Sequence, residues 1–110
     1  MVDSEDKLDS ELISGDELVK IFDALSHPMR IKIMATLKEH RQHVSELARM
    51  VNISRPLLYM HLQKLESAKL VKSSMEISEG GKAMKFYAAV EFEILVNPKL
   101  LTAASESIQE

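Results

Sequence analysis

The sequence contains no cysteine, and it has only three glycines and three prolines among 110 residues. Without cysteine the chain can form no disulfide framework, no thiolate nucleophile and no cysteine-based zinc finger. Few glycines and prolines, with 45% apolar residues, exclude collagen-like and low-complexity proteins. Each apolar run meets a charged residue well before the roughly 18 residues that a membrane span needs. We therefore expect one compact cytoplasmic domain, without a signal peptide or a membrane segment.

Patterns typical of catalytic and metal sites are also missing. The sequence has no G-x-S-x-G element and no phosphate-binding glycine loop, and Gly80 and Gly81 fit a hairpin turn. Its four histidines form no i, i+4 pair, so no recognisable zinc spacing is present. We expect neither enzymatic activity nor a cofactor nor a bound metal.

Charge is distributed unevenly along the chain. The formal net charge is −3, but residues 1–19 carry −6, residues 20–87 carry +6 and residues 88–110 carry −3. Because phosphate responds to local positive surface, a basic middle segment permits binding to nucleic acid despite the acidic total. Solvated helices of mixed charge would give the same pattern, so the motifs have to decide.

Apolar periodicity predicts two helices in the first part of the chain. Apolar residues recur at i, i+3, i+4 and i+7 from Leu18 to Leu25, which predicts a helix over 16–25. Pro28 suits the first position of a second helix, which ends near Leu37, because its missing N–H would be unpaired there.

A short helix with a sharp ending follows a polar link at 39–42. Its apolar face runs from Leu47 to Val51, and either His43 or Ser45 could cap its start. Asn52 comes where the chain must turn, and asparagine is the residue other than glycine that best tolerates the left-handed conformation.

The next helix has clear start and packing signals. Ser54 is a strong N-cap, and Leu58, Leu62 and Leu65 form a buried stripe on a helix that runs to about Ala68. Two short helices joined by a tight turn form a helix-turn-helix.

The pattern then changes to the period of two that is typical of strands. Residues 70–77 and 83–90 read as two strands joined by a turn at 78–81, which makes a β-hairpin directly after the helix-turn-helix. Asn97 and Pro98 open a last helix. The predicted fold class is α+β, mainly α: a winged helix-turn-helix with a two-stranded β-hairpin wing and a C-terminal helix.

Three segments result from these predictions. Residues 1–14 form an acidic arm, which is either disordered or a weak helix that orders against a partner. Residues 15–96 form the winged domain, in which the pattern leaves 92–96 open between strand and helix. Residues 97–110 form a C-terminal helix for dimerisation.

Two stretches of the sequence carry a family resemblance. Residues 44–71 read VSELARMVNISRPLLYMHLQKLESAKLV, and residues 23–37 before them read DALSHPMRIKIMATL. They resemble the ArsR-like family of bacterial and archaeal winged-helix repressors, over roughly residues 17 to 90. The chain departs from the family pattern at Asn52 and Lys69, where glycine is common, and at Tyr59, where serine or threonine is usual.

The resemblance implies a homodimer that binds near-palindromic operator DNA and pairs through its first and last helices. Metal-sensing members use cysteine, or Asp/His pairs on the last helix, whereas this chain offers Glu106 and Glu110 there and no histidine. We therefore expect a metal-independent regulator, and the sequence does not identify a small-molecule effector.

The outward face of the helix after Ser54 is the predicted reading surface. With Leu58 at the centre of the buried side and a step of about 100° per residue, five side chains face outward or lie at the start of the helix. These predicted base-reading residues are Arg55, Pro56, Tyr59, Met60 and Gln63. Glutamine can pair with adenine, arginine with guanine or phosphate, and the apolar atoms of tyrosine and methionine with a thymine methyl. His61 falls nearer the buried side and is predicted to be a packed, hydrogen-bonded structural residue.

Two further sets of residues complete the predicted sites. The predicted phosphate contacts, each of which could also be a merely solvated group, are Ser54, Lys64, Lys72, Lys82 and Lys85. The predicted dimer interface consists of apolar residues of the first and last helices: Leu18, Ile21, Phe22, Leu100, Leu101, Ala104 and Ile108.

The predicted function is that of a sequence-specific, repressor-like transcriptional regulator. Its predicted partners are double-stranded DNA and a second copy of the chain, with no membrane. A winged helix used as a protein-binding module is one alternative, favoured by the apolar character of Tyr59 and Met60. A non-specific architectural DNA binder is the other.

Overall fold

The computed structural model of the chain describes residues 8–9 and 13–109. The described elements, in chain order, are β1 Leu8–Asp9, α1 Gly15–Leu25, α2 Pro28–Glu39, β2 Gln42–His43, α3 Val44–Val51, α4 Arg55–Ser67, β3 Val71–Ile77, β4 Ala83–Ala89, β5 Phe92–Glu93 and α5 Pro98–Ser105. This mainly helical α+β arrangement is the predicted one. None of the described helices is long and apolar enough to cross a membrane.

Polar side chains set the starts of the first two helices. The Ser14 hydroxyl accepts from the Glu17 amide at 3.2 Å, and the Glu17 carboxylate accepts from the Ser14 amide at 3.0 Å, so α1 begins with a capping box. The sequence analysis predicted that Pro28 opens α2, but it did not identify His27 as the N-cap. His27 Nδ1 accepts from the Met29 amide at 3.0 Å.

The turn between α3 and α4 has the predicted geometry. Asn52 adopts the left-handed conformation, with φ 60° and ψ 49°, and ends α3. Ser54 caps α4, since its hydroxyl accepts from the Leu57 amide at 3.3 Å. His43 is the residue before α3, but its side chain makes no capping hydrogen bond.

Lys69, where the ArsR-like family that the sequence resembles often has glycine, also ends a helix in the left-handed conformation, here α4. Its φ is 63°, and the Leu70 amide donates to the Leu65 carbonyl oxygen at 2.9 Å. This hydrogen bond closes a Schellman motif, which satisfies a carbonyl group at the end of the helix. The left-handed conformation is less favourable for Lys69 than it would be for a glycine at the same position.

The predicted hairpin is present, but the sheet has one more strand than predicted. The strand order is β2-β4-β3, with β4 antiparallel to both neighbours. Gln42 and His43 pair with Tyr87 and Phe86, although the sequence placed Gln42 in a polar link. Two residues are too few for a period-two pattern, so the sequence carries no signal for β2.

The core lies between α1–α4 and the start of the sheet. Tyr87 of β4 closes it from the side of the wing. The largest fully buried side chains are Ile33, Leu47, Leu58, Leu62, Leu65 and Leu70. Each such side chain stabilises the fold by about 1.5–3 kcal/mol relative to an exposed one.

The two ends of the described chain differ from the predictions. Leu8–Asp9 pairs in parallel with Phe92–Glu93, so neither disorder nor a helix describes those two residues of the acidic arm. The rest of 1–12 lies outside the described residues. Phe92–Glu93 settles the open segment 92–96 as a two-residue strand followed by irregular chain.

The last helix is shorter than predicted. Asn97 caps α5 as expected, through an oxygen that accepts from the Leu100 amide at 2.8 Å. The helix ends at Ser105, so Ile108 lies beyond it. Gly15 lets α1 approach this region, because a Cβ at Gly15 would lie 2.1 Å from the Ala104 carbonyl oxygen.

Candidate nucleic-acid interface

Helix α4 has one buried and one exposed face. Its buried side chains are Leu58, His61, Leu62 and Leu65. All five predicted base-reading side chains are exposed: Arg55, Pro56, Tyr59, Met60 and Gln63. A step of 100° per residue was enough to separate the two sets, because the helix is regular from Arg55 to Ser67.

Arg55 stands beside the first turn of α3. Its Nη1 donates to the Ser45 hydroxyl oxygen at 3.1 Å, and both residues retain contact with solvent. The hydrogen bond orients the guanidinium at the entrance of α4 and leaves other N–H groups for a guanine or a phosphate. The sequence did not identify Ser45 as a partner, since the two residues are ten positions apart.

Two predicted phosphate contacts on or beside α4 already have a partner. The Ser54 hydroxyl accepts from the Leu57 amide, which leaves its O–H free to donate. Lys64 Nζ lies 3.3 Å from an Asp23 carboxylate oxygen in a solvent-exposed ion pair. Lys64 therefore points toward α1, away from the exposed face that carries Gln63.

The predicted lysines of the wing do not share one face. The register pairs Lys72 with Ala88 and Lys85 with Met75, which places the two lysines on opposite faces of the hairpin. Lys72 is exposed, and Lys82 is exposed in the turn before β4. The wing can thus offer positive charge from both faces and from its tip.

Lys85 lies on the side of the wing that faces α4. Its Nζ is 5.4 Å from the centre of the Tyr87 ring. Hydrogen bonding to Tyr87 raises the pKa of Lys85, and the nearby Glu66 and Tyr59 of α4 add to the shift. Ser73 on the same face of the hairpin donates to the Glu66 carboxylate at 3.4 Å. These contacts join one side of the wing to α4.

The same side of the wing also exposes two large apolar residues. Met75 is 60% exposed and Ile77 is 70% exposed. The period-two alternation places both on the face that begins at the buried Val71. That alternation could have identified them from the sequence, but only the packing shows that nothing in the described chain covers them.

Arg41 covers the opposite face of the wing, which the sequence missed. Its guanidinium lies 4.4 Å from the centre of the Phe86 ring and forms an ion pair with Glu76. Hydrogen bonding to Glu76 raises the pKa of Arg41, and the same bond lowers the pKa of Glu76. No sequence signal relates these two residues, because 35 positions separate them.

His61 is a packed structural residue, as predicted. Its side chain belongs to the buried face of α4, with 8% of the residue exposed, and its Nδ1 lies 3.3 Å from Arg30 Nη1. Burial lowers the pKa of His61, and the neighbouring His27 and Arg30 lower it further.

The predicted dimer residues divide into two groups. Leu18, Ile21 and Ala104 are buried within the chain itself, where α1 packs against α4 and α5. The other four residues of the set reach the surface. Leu100 is half-buried, and Phe22, Leu101 and Ile108 are exposed. Only this second group can contact another copy of the chain without unfolding.

Within residues 8–9 and 13–109, no cluster of three histidine, cysteine, aspartate or glutamate side chains could hold a metal ion. Glu106 is exposed just after α5. Glu110, the other acidic residue considered there, lies outside the described residues.

Sequence comparison relates the chain to known regulators. The family model "Bacterial regulatory protein, arsR family" matches residues 27–73. An uncharacterized HTH-type transcriptional regulator from Methanocaldococcus jannaschii is 37% identical over 91 residues, which cover 83% of this chain and 95% of that protein.

Solved structures share the fold. HlyU from Vibrio cholerae is 20% identical, with a TM-score of 0.59 over 83% of this chain and 87% of that one. The transcriptional repressor BigR from Xylella fastidiosa is 24% identical, with a TM-score of 0.57 over 83% and 82% of the two chains. A homodimeric winged helix-turn-helix DNA-binding domain from Mycobacterium bovis is 19% identical, with a TM-score of 0.59 over 83% and 74%. The match to the family model and the identity to the M. jannaschii regulator show that this chain belongs to the ArsR family of DNA-binding transcriptional regulators.

Proposed function

We propose that the chain is a homodimeric, repressor-like regulator that reads a near-palindromic operator with α4 in the major groove. The exposed face of α4 carries this proposal. Gln63 and Arg55 offer hydrogen bonds to base edges, while Tyr59 and Met60 offer apolar contacts to thymine methyl groups. Because the other face of α4 is packed into the core, the helix presents these groups in a fixed orientation.

Positive groups around α4 would dock the protein on the duplex before the bases are read. Lys82, at the tip of the wing, and Lys85, beside α4, suit backbone phosphates and set position without reading sequence. If a dimer makes about six cationic contacts, the log–log slope of affinity against salt is about −5, from about −0.9 for each phosphate.

Two copies are needed for useful specificity. A single 13-residue helix reads few base pairs, whereas two helices about 34 Å apart read successive major grooves. Phe22 on α1 and Leu101 on α5 are exposed apolar residues on the two terminal helices, which pack together. These surfaces support pairing through the ends of the chain.

Selection from a pool of random DNA duplexes tests the DNA-binding proposal. We expect enrichment of a two-fold symmetric motif, and sizing of the complex should give two chains per duplex. Retention of DNA without an enriched sequence would indicate an architectural binder. A repressor role requires that the selected operator, placed within a promoter, reduces reporter expression when the protein is present.

A charge substitution tests the dimer surface. Phe22→Asp should convert the dimer to a monomer in light scattering after size exclusion, because an aspartate would be buried unpaired in the interface. Met50→Asp is the matched control, since Met50 is similarly exposed on α3. A dimer that survives Phe22→Asp would remove α1 from the interface.

The exposed apolar residues favour protein binding as a second candidate function. Met60, Met75 and Ile77 are all at least 60% exposed, and they belong to α4 and the α4 side of the wing. Large exposed apolar patches often mark contacts with other proteins. If the random pool yields no bound DNA at moderate salt, this candidate replaces the operator proposal.

A further inference from the structure

Three side chains form a cluster where the first two helices meet the buried face of α4. His27 precedes α2, Arg30 lies in its first turn, and His61 lies on α4. The centres of the two imidazole rings are 4.6 Å apart, and Arg30 Nη1 is 3.3 Å from His61 Nδ1. We call these three residues the His–Arg cluster.

Arg30 connects three helices through its guanidinium. Its Nε donates to the Ala24 carbonyl oxygen at 2.7 Å, and its Nη2 donates to the Asp23 carbonyl oxygen at 3.4 Å. Both acceptors lie at the end of α1, Arg30 itself belongs to α2, and its third contact is His61 on α4. The position of α4 relative to α1 and α2 therefore depends in part on this one side chain.

Hydrogen bonding requires both histidines to be neutral. A guanidinium can only donate, so His61 Nδ1 must accept from Arg30. His27 Nδ1 must likewise accept, because its partner is the backbone N–H of Met29. Each ring therefore carries its single proton on Nε2.

On each ring, a second proton would have to bind Nδ1, the atom that now accepts a hydrogen bond. At His27 it would abolish the cap of α2, and at His61 it would abolish the bond to Arg30. Three positive charges would then face one another. The carboxylate of Asp23, whose backbone carbonyl accepts from Arg30, is already paired with Lys64 of α4.

We propose that the His–Arg cluster positions the recognition helix α4 and releases it on acidification, so that operator affinity falls as the pH drops below about 6.5. This inference rests on the proposed reading of DNA by α4. His27, Arg30 and His61 are positioning residues, because the buried side of α4 is the one that they contact. Their effect reaches DNA through the outward face of the same helix.

The expected sign of the pH dependence of operator affinity distinguishes the His–Arg cluster from a general change in surface charge. His40 is exposed and His43 is half-buried, and protonation of such groups makes the surface more positive. A more positive surface should bind phosphate more tightly at low pH. The cluster predicts the opposite sign.

Stability should change in the same direction. The folded chain holds the pKa of His61 below its ordinary value, so the unfolded chain takes up the proton first as the pH falls. The stabilisation is complete above the unfolded pKa of about 6.5 and is lost as the pH falls from there toward the lower pKa of the folded state.

Asparagine variants provide the test, because an asparagine oxygen can accept at the Nδ1 position and cannot be protonated in this range. Operator affinity would be measured by fluorescence anisotropy at constant salt between pH 7.5 and 5.5. The unaltered protein should lose about tenfold in affinity over this range. The His27→Asn/His61→Asn double variant should show a flat or slightly rising profile, and exposed His40→Asn should keep the profile of the unaltered protein.

His27→Asn alone covers the case in which the double variant does not fold, because asparagine is among the best N-cap residues. It should bind at pH 7.5 and lose less affinity on acidification than the unaltered protein. A flat or rising profile for the unaltered protein overturns the proposal. A full loss of affinity retained by His27→Asn or by the double variant overturns it as well. Absence of operator binding at pH 7.5 refutes the proposed function instead. In that case imidazole ¹⁵N shifts still test the cluster, since two Nε2–H tautomers are required.

Discussion

Helix α4 and the wing are held in place by different forces. Helix α4 buries four side chains in the core, including Leu58 and Leu62, which are at most 1% exposed. The wing buries only Val71 of β3 and Tyr87 of β4 in the core, and it extends beyond them through backbone pairing as far as Ile77 and Ala83. Packing therefore fixes the orientation of α4, whereas hydrogen bonds between strands maintain the outer wing. Substitutions on the buried side of α4 should accordingly damage the fold, whereas substitutions on the outer wing should affect binding.

The largest effect is expected on the buried side of α4. Leu62→Ala should lower the free energy of unfolding by about 2–5 kcal/mol, because it removes buried methyl groups and leaves a cavity. Urea denaturation followed by circular dichroism measures the change. Leu57→Ala on the exposed side of the same helix is the control and should cost much less. Equal losses for the two variants would contradict the division of α4 into two faces.

A smaller effect, on specificity, is expected on the outward side of α4. Gln63→Ala should reduce discrimination at one base pair of each half-site by about 1–3 kcal/mol and leave stability unchanged. Competition between the selected operator and its single-base variants measures this loss. Gln109→Ala near the end of the described chain is the control. If Gln63→Ala weakens operator and random DNA equally, Gln63 does not read a base.

Lys82→Ala at the wing should weaken all sequences alike. Loss of a phosphate contact should make the log–log salt slope less negative by about 0.9 per contact and leave the order of preferred operators unchanged. Titrations between 50 and 200 mM salt give the slope, with Lys99→Ala in α5 as the control. A change in operator preference would mean that the wing takes part in base readout.

The smallest expected effect concerns the far face of the wing. Arg41→Ala removes a cation–π contact and a solvent-exposed ion pair, which contribute little and are screened by salt. We expect faster amide exchange along β3 and β4 with no change in the unfolding midpoint of the helices. Glu76→Gln keeps the stacking on Phe86 and should fall between Arg41→Ala and the unaltered protein. An unchanged exchange rate would leave the strand pairing as the sole support of the wing.

The sequence predicted features that depend on neighbouring residues. Asn52 and Ser54 mark the turn of the helix-turn-helix. Asparagine tolerates the left-handed conformation that Asn52 adopts, and the Ser54 hydroxyl accepts from the amide three positions further on. The exposed face of α4 followed from helical periodicity alone. Contact of these residues with DNA stays a prediction.

Features that join distant segments were not predictable. Arg30 and His61 are 31 positions apart, and the pair Arg41 and Glu76 is separated by 35. The apolar stripe of α1 was assigned to a dimer partner, yet Leu18 and Ile21 are buried in the same chain. Periodicity identifies an apolar face without identifying the surface that covers it.

The short strand β2 links the wing to the helix-turn-helix. β4 is hydrogen-bonded to β3 on one edge and to β2 on the other, and β2 continues directly into α3. The base of the wing is thereby hydrogen-bonded to the strand that leads directly into α3. If α4 and the wing contact one duplex as proposed, a duplex that does not match the distance between them has to deform, at an energy that depends on the stiffness of its sequence.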